Sequence, residues 1–364
     1  MRILTVNAGS SSLKLRVLES DERVSLAADL PAESGRVPAA AIAQALGAAR
    51  GIGAVGHRVV HGGTAFTRAV RIEGDVERRL AALTDLAPLH QPISLAMLAA
   101  VRAALPGVPE VACFDTAFHA DLPPEAATYA LPREWLERWA VRRYCFHGLS
   151  HAYASRRAAQ MLGRTPAVLR VVVAHLGAGA SLAAVANGRS HDTTMGFTPL
   201  EGLVMATRSG SVDPGLVLWL ETHAGLSPAE LTDALEHRSG LLALAGVADM
   251  REVTARAARG DEAAGAALDV YVHRLAASVA AMAAAVRGLD ALVFTGGVGE
   301  GSAVVRARTA ERLGFLGLAL DEARNQAGGE DRDVSADAAS VRTLVIAARE
   351  DLEIARQTRE ALAG

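Results

Sequence analysis

Residues 1–18, MRILTVNAGSSSLKLRVL, read as two strands and the turn between them. Ile3, Leu4 and Val6 make an apolar strand, Asn7-Ala8-Gly9-Ser10-Ser11-Ser12 a polar turn, and Leu13, Leu15 and Val17 an alternating strand. A Gly/Ser/Asn turn between two such runs is a hairpin signal. The turn offers an amide side chain, three hydroxyls and a glycine, with Lys14 just past it. Oxyanions favour converging N–H and O–H donors beside a positive charge, so this equipment suits a phosphate. No GxxxxGK[ST] signature is present, and from this stretch alone a serine-rich surface hairpin is an equal reading.

The same pattern returns in the second half of the chain. Leu169–Leu176 is a strongly apolar strand that opens into Gly177-Ala178-Gly179-Ala180-Ser181 and continues as a second strand, Leu182–Asn187. A repeated strand–glycine turn–strand unit predicts an internal duplication. Around these hairpins, strands alternate with helices. A strand from Ile52 to Val60 runs into Gly62-Gly63, and helices follow near Val76–Ala87 and Ile93–Ala104. A short strand, Val108–Phe114, stops at Asp115. Further on come a helix at Ala152–Leu162, an irregular loop at Thr193–Pro214 and a long Ala-rich helix at Ala263–Val286. That helix is apolar nearly all round, which fits burial in a core or at a subunit interface. Strands at Ala291–Thr295 and Val341–Ala347 and a closing helix from Glu350 complete the pattern. This alternation predicts an α/β fold with largely parallel pairing in places.

With 364 residues, the chain is long enough for two domains. Its 51% hydrophobic and 21% charged composition is that of a globular protein, and its net charge of −3 leaves no electrostatic footprint for nucleic acid. Cys113 and Cys145 fit neither metal-type spacing nor a disulfide framework. The opening lacks the apolar core and cleavage site of a signal peptide, and no run is long and apolar enough for a membrane helix. The expectation is a cytoplasmic protein without membrane partners.

Polar residues cluster where apolar strands end, which is where open α/β sheets place ligands. Asn7, Arg58, His90, Asp115, His147, His175 and the Gly296-Gly297 turn all follow such strands. A lone histidine beside a strand is more often a core residue, and a lone arginine more often an ion-pair partner; here the number of them carries the argument. Two arginines (Arg58, Arg208), three histidines, one aspartate and glycine turns suit phosphoryl transfer. That reaction needs cations on the phosphoryl oxygens and fixed geometry rather than covalent chemistry from the protein. A serine hydrolase is excluded for want of a Gly-x-Ser-x-Gly elbow.

Nine ordered blocks carry a resemblance: NAGSSSLK, GHRVVHGG, APLH-x-P, FDTAFH, RRYCFHGLSH, HLGAGAS, DTTMGFTPLEGLVMATRSG, FTGGVGE and AREDLEIA. Together they resemble the acetate kinase family, which belongs with the sugar kinases, heat-shock chaperone ATPases and actin. The resemblance implies two duplicated ribonuclease H-like (actin-like ATPase) α/β domains with an active-site cleft between them. It places residues 1–117 with 352–364 in the first domain. Residues 118–351 form the second, with the nucleotide site and a dimer interface.

The implied reaction is reversible, in-line transfer between ATP and acetate, giving acetyl phosphate and ADP, with Mg²⁺ or in its place Mn²⁺. By motif, Asn7, Ser10–Ser12 and Lys14 face phosphate and metal, and Asp115 and Glu350 organise the metal. Arg58 binds the acetate carboxylate and Arg208 bridges carboxylate and phosphoryl group. His147 stabilises the transition state, with His90 and His175 assisting. Val60, Leu89, Phe146 and Pro199 enclose the methyl group. His175, Leu176, Gly177, Ala178 and Gly179 hold nucleotide phosphates. Gly296, Gly297, Val298 and Gly299 hold adenosine, with Asp249 and Arg251 also on the nucleotide side. The resemblance also implies a homodimer.

The chain departs from the family pattern at Ala178, where the family has asparagine, at Ala206 for glycine, and at Gly301, Ala348, Arg349 and Gln91. Three of these fall on the nucleotide side, which leaves ATP, another nucleotide or pyrophosphate open as donor. A kinase for propionate or butyrate and a non-catalytic nucleotide sensor are the other readings; intact Arg58, Asp115, His147 and Arg208 argue against the sensor.

Overall fold

A computed structural model describes residues 1–9, 12–32, 37–47, 49–87 and 91–363. The chain divides into two compact units. One comprises Met1–Ala120, Phe146–Tyr153 and Arg349–Gly364, the other Asp121–Cys145 and Ala154–Ala348.

The first unit is built on β1 (Ile3–Ala8), β2 (Ser12–Leu18), β3 (Val24–Pro31), β4 (Ala54–Val59), β5 (Val70–Arg71) and β6 (Glu110–Phe114), arranged in the order β3-β2-β1-β4-β6-β5. β1 is central and nearly all buried, as its apolar run requires. β2 alternates: Leu13, Leu15 and Val17 are buried while Lys14 is exposed. One face of the sheet packs Leu4, Val6, Leu13 and Leu15 against Ile42, Leu46, Met97 and Val101, from helices Ala39–Leu46 and Gln91–Ala104. Across the other face lies the closing helix Glu350–Ala363, with Ile354 against Val111 and Cys113, and Ala355 against Ile3 and Ala54. Truncating Ile354, which is wholly buried, would cost about 2–5 kcal/mol.

The second unit repeats the plan with β7 (Arg170–Leu176), β8 (Ala180–Ala186), β9 (Arg189–Thr193), β10 (Ala291–Thr295), β11 (Arg332–Asp333) and β12 (Arg342–Val345) in the order β11-β12-β10-β7-β8-β9. Strand by strand this is the first sheet again. β1 and β7 each pair antiparallel with the next strand; β1-β4-β6 and β7-β10-β12 are each a parallel trio; β5 and β11 each close an edge antiparallel. The predicted α/β duplication is therefore present at the level of topology.

Three local expectations change. The polar, half-exposed strand β3 lies within residues 19–50, where the sequence reading placed no strand. The Ala-rich helix runs Glu262–Ala285 and buries Ala264, Ala267, Leu268, Tyr271, Leu275 and others, packing on β7 and β8 and on the neighbouring helices, with its remaining residues exposed or half-buried. The glycine turn after β10 is a short helix, Gly296–Gly301. Among the described residues no helix is long and apolar enough to cross a membrane.

Candidate active site

Parallel neighbours end at the same edge of a sheet, so β1, β4 and β6 deliver their last residues to one place. Asn7 lies near the end of β1, Arg58 near the end of β4 and Asp115 just past β6. Arg58 Nε donates to Asp115 Oδ1 at 3.0 Å and Nη2 to Oδ2 at 2.6 Å, a bidentate ion pair, and Nη1 donates to Asn7 Oδ1 at 3.2 Å. The Asn7 amide nitrogen in turn donates to Glu350 Oε2, at the start of the closing helix. Asp115, Arg58, Asn7 and Glu350 thus form one hydrogen-bonded row. Burial opposes the charge on Arg58, yet the Asp115 and Glu350 carboxylates raise its pKa above the ordinary arginine range. Lys14 pairs with Asn7 across the hairpin, which puts the two side chains on one face of the sheet. Ser12 opens β2 beside them.

A second group packs beneath Asp115. Cys145 and His147 both hold positive φ, +63° and +57°, a left-handed conformation unfavourable for side chains with a Cβ. The carbonyl between them, that of Phe146, accepts from His119 Nε2 at 3.3 Å. Phe146 meets the His61 ring edge-on at 5.6 Å. Gly148 donates its N–H to the Asp115 carbonyl at 3.0 Å, and a Cβ on it would lie 2.1 Å from that oxygen. Any side chain at 148 would therefore displace Asp115. His61 and His119 are wholly buried, and burial lowers each pKa to about 4; in His119 the bond to the Phe146 carbonyl partly opposes the shift. Both are neutral at physiological pH. Val60 and Phe146, the expected methyl contacts of this unit, are buried.

In the second unit the equivalent edge gathers the ends of β7, β10 and β12. His175 and Leu176 end β7, and the Gly177–Gly179 turn closes on itself through Gly177 N–H to Gly179 O at 2.9 Å. Ala206 N–H donates to Ala178 O at 3.1 Å, which fastens the Arg208 loop to this turn. Gly296, at φ +79°, presses on the Leu176 backbone, where a Cβ would lie 2.8 Å from the carbonyl oxygen. The Glu300 carboxylate accepts both Gly296 N–H and Ala348 N–H at 2.9 Å, joining the segments after β10 and β12. Ala178 and Gly297 are exposed at this edge, while Val298 is half-buried and Gly299 buried. Arg208 is half-buried, and its Nη1 lies 4.0 Å from the Met205 sulfur, with no carboxylate paired to it among the described residues. Burial lowers its pKa, with Glu236 opposing at longer range.

Several expected residues stand apart. Asp249 caps the helix Met250–Ala258 and pairs with Arg251, both exposed. Pro199 lies half-buried in the irregular loop. Leu89 and His90, like Ser10 and Ser11, fall outside the described residues. Roles at His61, His119, Gly148 and Glu300 were not anticipated. All four sit inside quoted blocks, GHRVVHGG, FDTAFH, RRYCFHGLSH and FTGGVGE, and that is the signal that could have found them.

Two duplicated actin-like α/β units, each with polar side chains at the carboxyl edge of a parallel trio, define a phosphotransferase. The model of the acetokinase family matches residues 39–356, and the chain belongs to that family. It is 45% identical to an acetate kinase of Deinococcus deserti over all of this chain and 98% of that protein. Its fold matches the crystal structure of Porphyromonas gingivalis acetate kinase with a TM-score of 0.92 at 35% identity, and a propionate kinase from Francisella tularensis with 0.90 at 36%. Each of these two matches covers 99% of both chains.

Proposed function

We propose that this chain transfers the terminal phosphoryl group of ATP to acetate, reversibly, giving acetyl phosphate and ADP. The observation that carries the reading is the Asp115–Arg58–Asn7–Glu350 row, with Arg208 free of a carboxylate partner among the described residues. A carboxylate oxygen forms the new bond to phosphorus as the bond from phosphorus to the ADP oxygen breaks. Two anions must be brought together for this, which calls for permanent cations. Arg58, fixed by Asp115, orients the acetate carboxylate; Arg208 takes the phosphoryl oxygens; His147 donates to the charge that builds in the transition state. The Gly177–Gly179 turn and the segment Gly296–Gly299 receive the nucleotide.

Among the described residues no three His, Cys, Asp or Glu side chains form a metal cage. Mg²⁺ needs none, because it binds through one or two carboxylates plus waters and substrate phosphates. Glu350 and Asp115, with Asn7 beside them, fit that demand, and bound Mg²⁺ would neutralise phosphate charge. Propionate is a second, slower substrate, since one methylene is worth only about 1–3 kcal/mol of discrimination and a propionate kinase is among the structural relatives. A homodimer is also part of the proposal. The helix Pro214–His223 has no buried residue and exposes Leu216, Leu218 and Trp219, a face suited to a second copy.

The test is trapping of acetyl phosphate with hydroxylamine, using acetate, Mg²⁺ and either ATP or pyrophosphate. Hydroxamate with ATP is the expected result. Product with pyrophosphate alone would reassign the donor, and silence with both from folded protein would remove the kinase reading.

A further inference from the structure

Arg306, on the helix Ala303–Arg312, is 1% exposed, yet no carboxylate pairs with it among the described residues. Its partners are neutral oxygens. Nη1 donates to the carbonyls of Gly299 and Glu300, both at 2.8 Å; Nε donates to Asn325 Oδ1 and Nη2 to the Asn325 carbonyl, both at 2.7 Å. The Asn325 amide nitrogen then donates to Ala303 O at 2.9 Å. A buried charge left without a counter-charge is costly. Here it is balanced by the negative end of a helix, because Gly299 and Glu300 lie in the last turn of Gly296–Gly301.

That helix has little reason to form by itself. Four of its six residues, Gly296, Gly297, Gly299 and Gly301, are glycine, and each disfavours helix relative to alanine. Its first N–H is held by the Glu300 carboxylate and its last carbonyls by Arg306. Between these two anchors Gly297 stays exposed with open space above it.

We propose that Arg306, oriented by Asn325, is a positioning residue that holds Gly296–Gly301 in the conformation that accepts the nucleotide. This rests on the reading of that segment as part of the nucleotide site. Arg306 touches no substrate; it acts through the carbonyls it binds.

The experiment uses the full-length protein and the variants Arg306→Ala, Arg306→Lys and Asn325→Ala. It reads KM for ATP and for acetate, kcat, thermal unfolding, and amide exchange over residues 294–302. Loss of charge-assisted bonds of this kind predicts a rise of roughly ten- to a hundredfold in the ATP KM for Arg306→Ala. The acetate KM should stay put, exchange should quicken only across 296–301, and Arg306→Lys should recover part of the loss. Should Arg306→Ala fail to fold, Asn325→Ala carries the test, with a smaller rise of the same selectivity. An unchanged ATP KM with unchanged exchange overturns the proposal, and so does a parallel rise of both KM values. If the unmutated protein gains no exchange protection at 296–301 from ATP, the nucleotide reading fails and this proposal with it.

Discussion

Arg58 and Arg208 carry the same side chain into opposite settings. Arg58 is locked between Asp115 and Asn7, its charge already answered and its pKa raised. Arg208 sits half-buried beside a methionine sulfur, with no carboxylate in contact among the described residues and its pKa pushed down by burial. The first unit uses its arginine as a fixed fork whose geometry is set by the fold. In the second unit, on the proposed reaction, an incoming anion would relieve a desolvated cation rather than compete with a carboxylate. A duplicated topology need not duplicate electrostatics: one unit holds a paired arginine near a strand end, the other a carboxylate-free arginine, among the described residues, in a loop, and the proposed reaction would use the first for orientation and the second for charge stabilisation.

Removing a charge from each setting in turn should separate the two arginines most strongly. Arg208→Ala should lower kcat about a thousandfold, roughly 4 kcal/mol, while shifting Tm by no more than about two degrees, because no structural ion pair is lost. The hydroxylamine assay and a thermal melt read both. A large fall in Tm would show that Arg208 is structural after all. Asp115→Asn should behave differently, lowering kcat about a hundredfold and stability by about 3 kcal/mol, because it strips the counter-charge from a buried guanidinium. Equal stabilities for Asp115→Asn and Arg208→Ala in urea unfolding would show that the two arginines are held alike.

What could be read in the chain and what could not follows the same division. Asn7, Arg58 and Asp115 were legible because each follows an apolar strand, and a strand end is a local signal. The pairing of Asn7 with Glu350 spans 343 positions; no spacing rule reaches that far, and only the family resemblance pointed to Glu350. Strand β3 escaped because an edge strand alternating half-buried and exposed residues, with Ala27, Ala28 and Asp29 among them, has a weak apolar signal. The segment Gly296–Gly301 read as a turn because four glycines oppose a helix; the forces that fold it, Glu300 and Arg306, are tertiary. Arg306 itself looks like any polar residue of an amphipathic helix until its burial is known.

Acid separates the two units in another way. His61 and His119, both in the first unit, titrate near 4 when folded and near 6.5 when unfolded. Their neutral forms belong to the folded state, so the stability they allow is present above pH 6.5 and is lost as pH falls toward 4. At pH 5 each should cost about 2 kcal/mol relative to neutral pH. Urea unfolding at pH 7.5 and 5.0, with amide exchange resolved by peptide, should show the first unit losing protection before the second. In His119→Gln that acid loss should shrink. Uniform loss across both units would place the acid-sensitive groups elsewhere.

The smallest effect concerns the apolar side of the site, where no charge is at stake. Val60 is 6% exposed and directly follows β4, two positions after Arg58. If it bounds the methyl group of the acid, Val60→Ala removes two methyl carbons and opens room for a longer chain. The gain for propionate over acetate is limited by what a methylene is worth, about 1 kcal/mol, so the ratio of kcat/KM values should move toward propionate by roughly five- to tenfold. On the proposed reaction Arg58 and Arg208 act on charge common to both acids, so their removal should leave that ratio where it was. A ratio that stays fixed in Val60→Ala while both rates fall would make Val60 a packing residue beneath Arg58, and the size limit of the site would then have to come from other side chains.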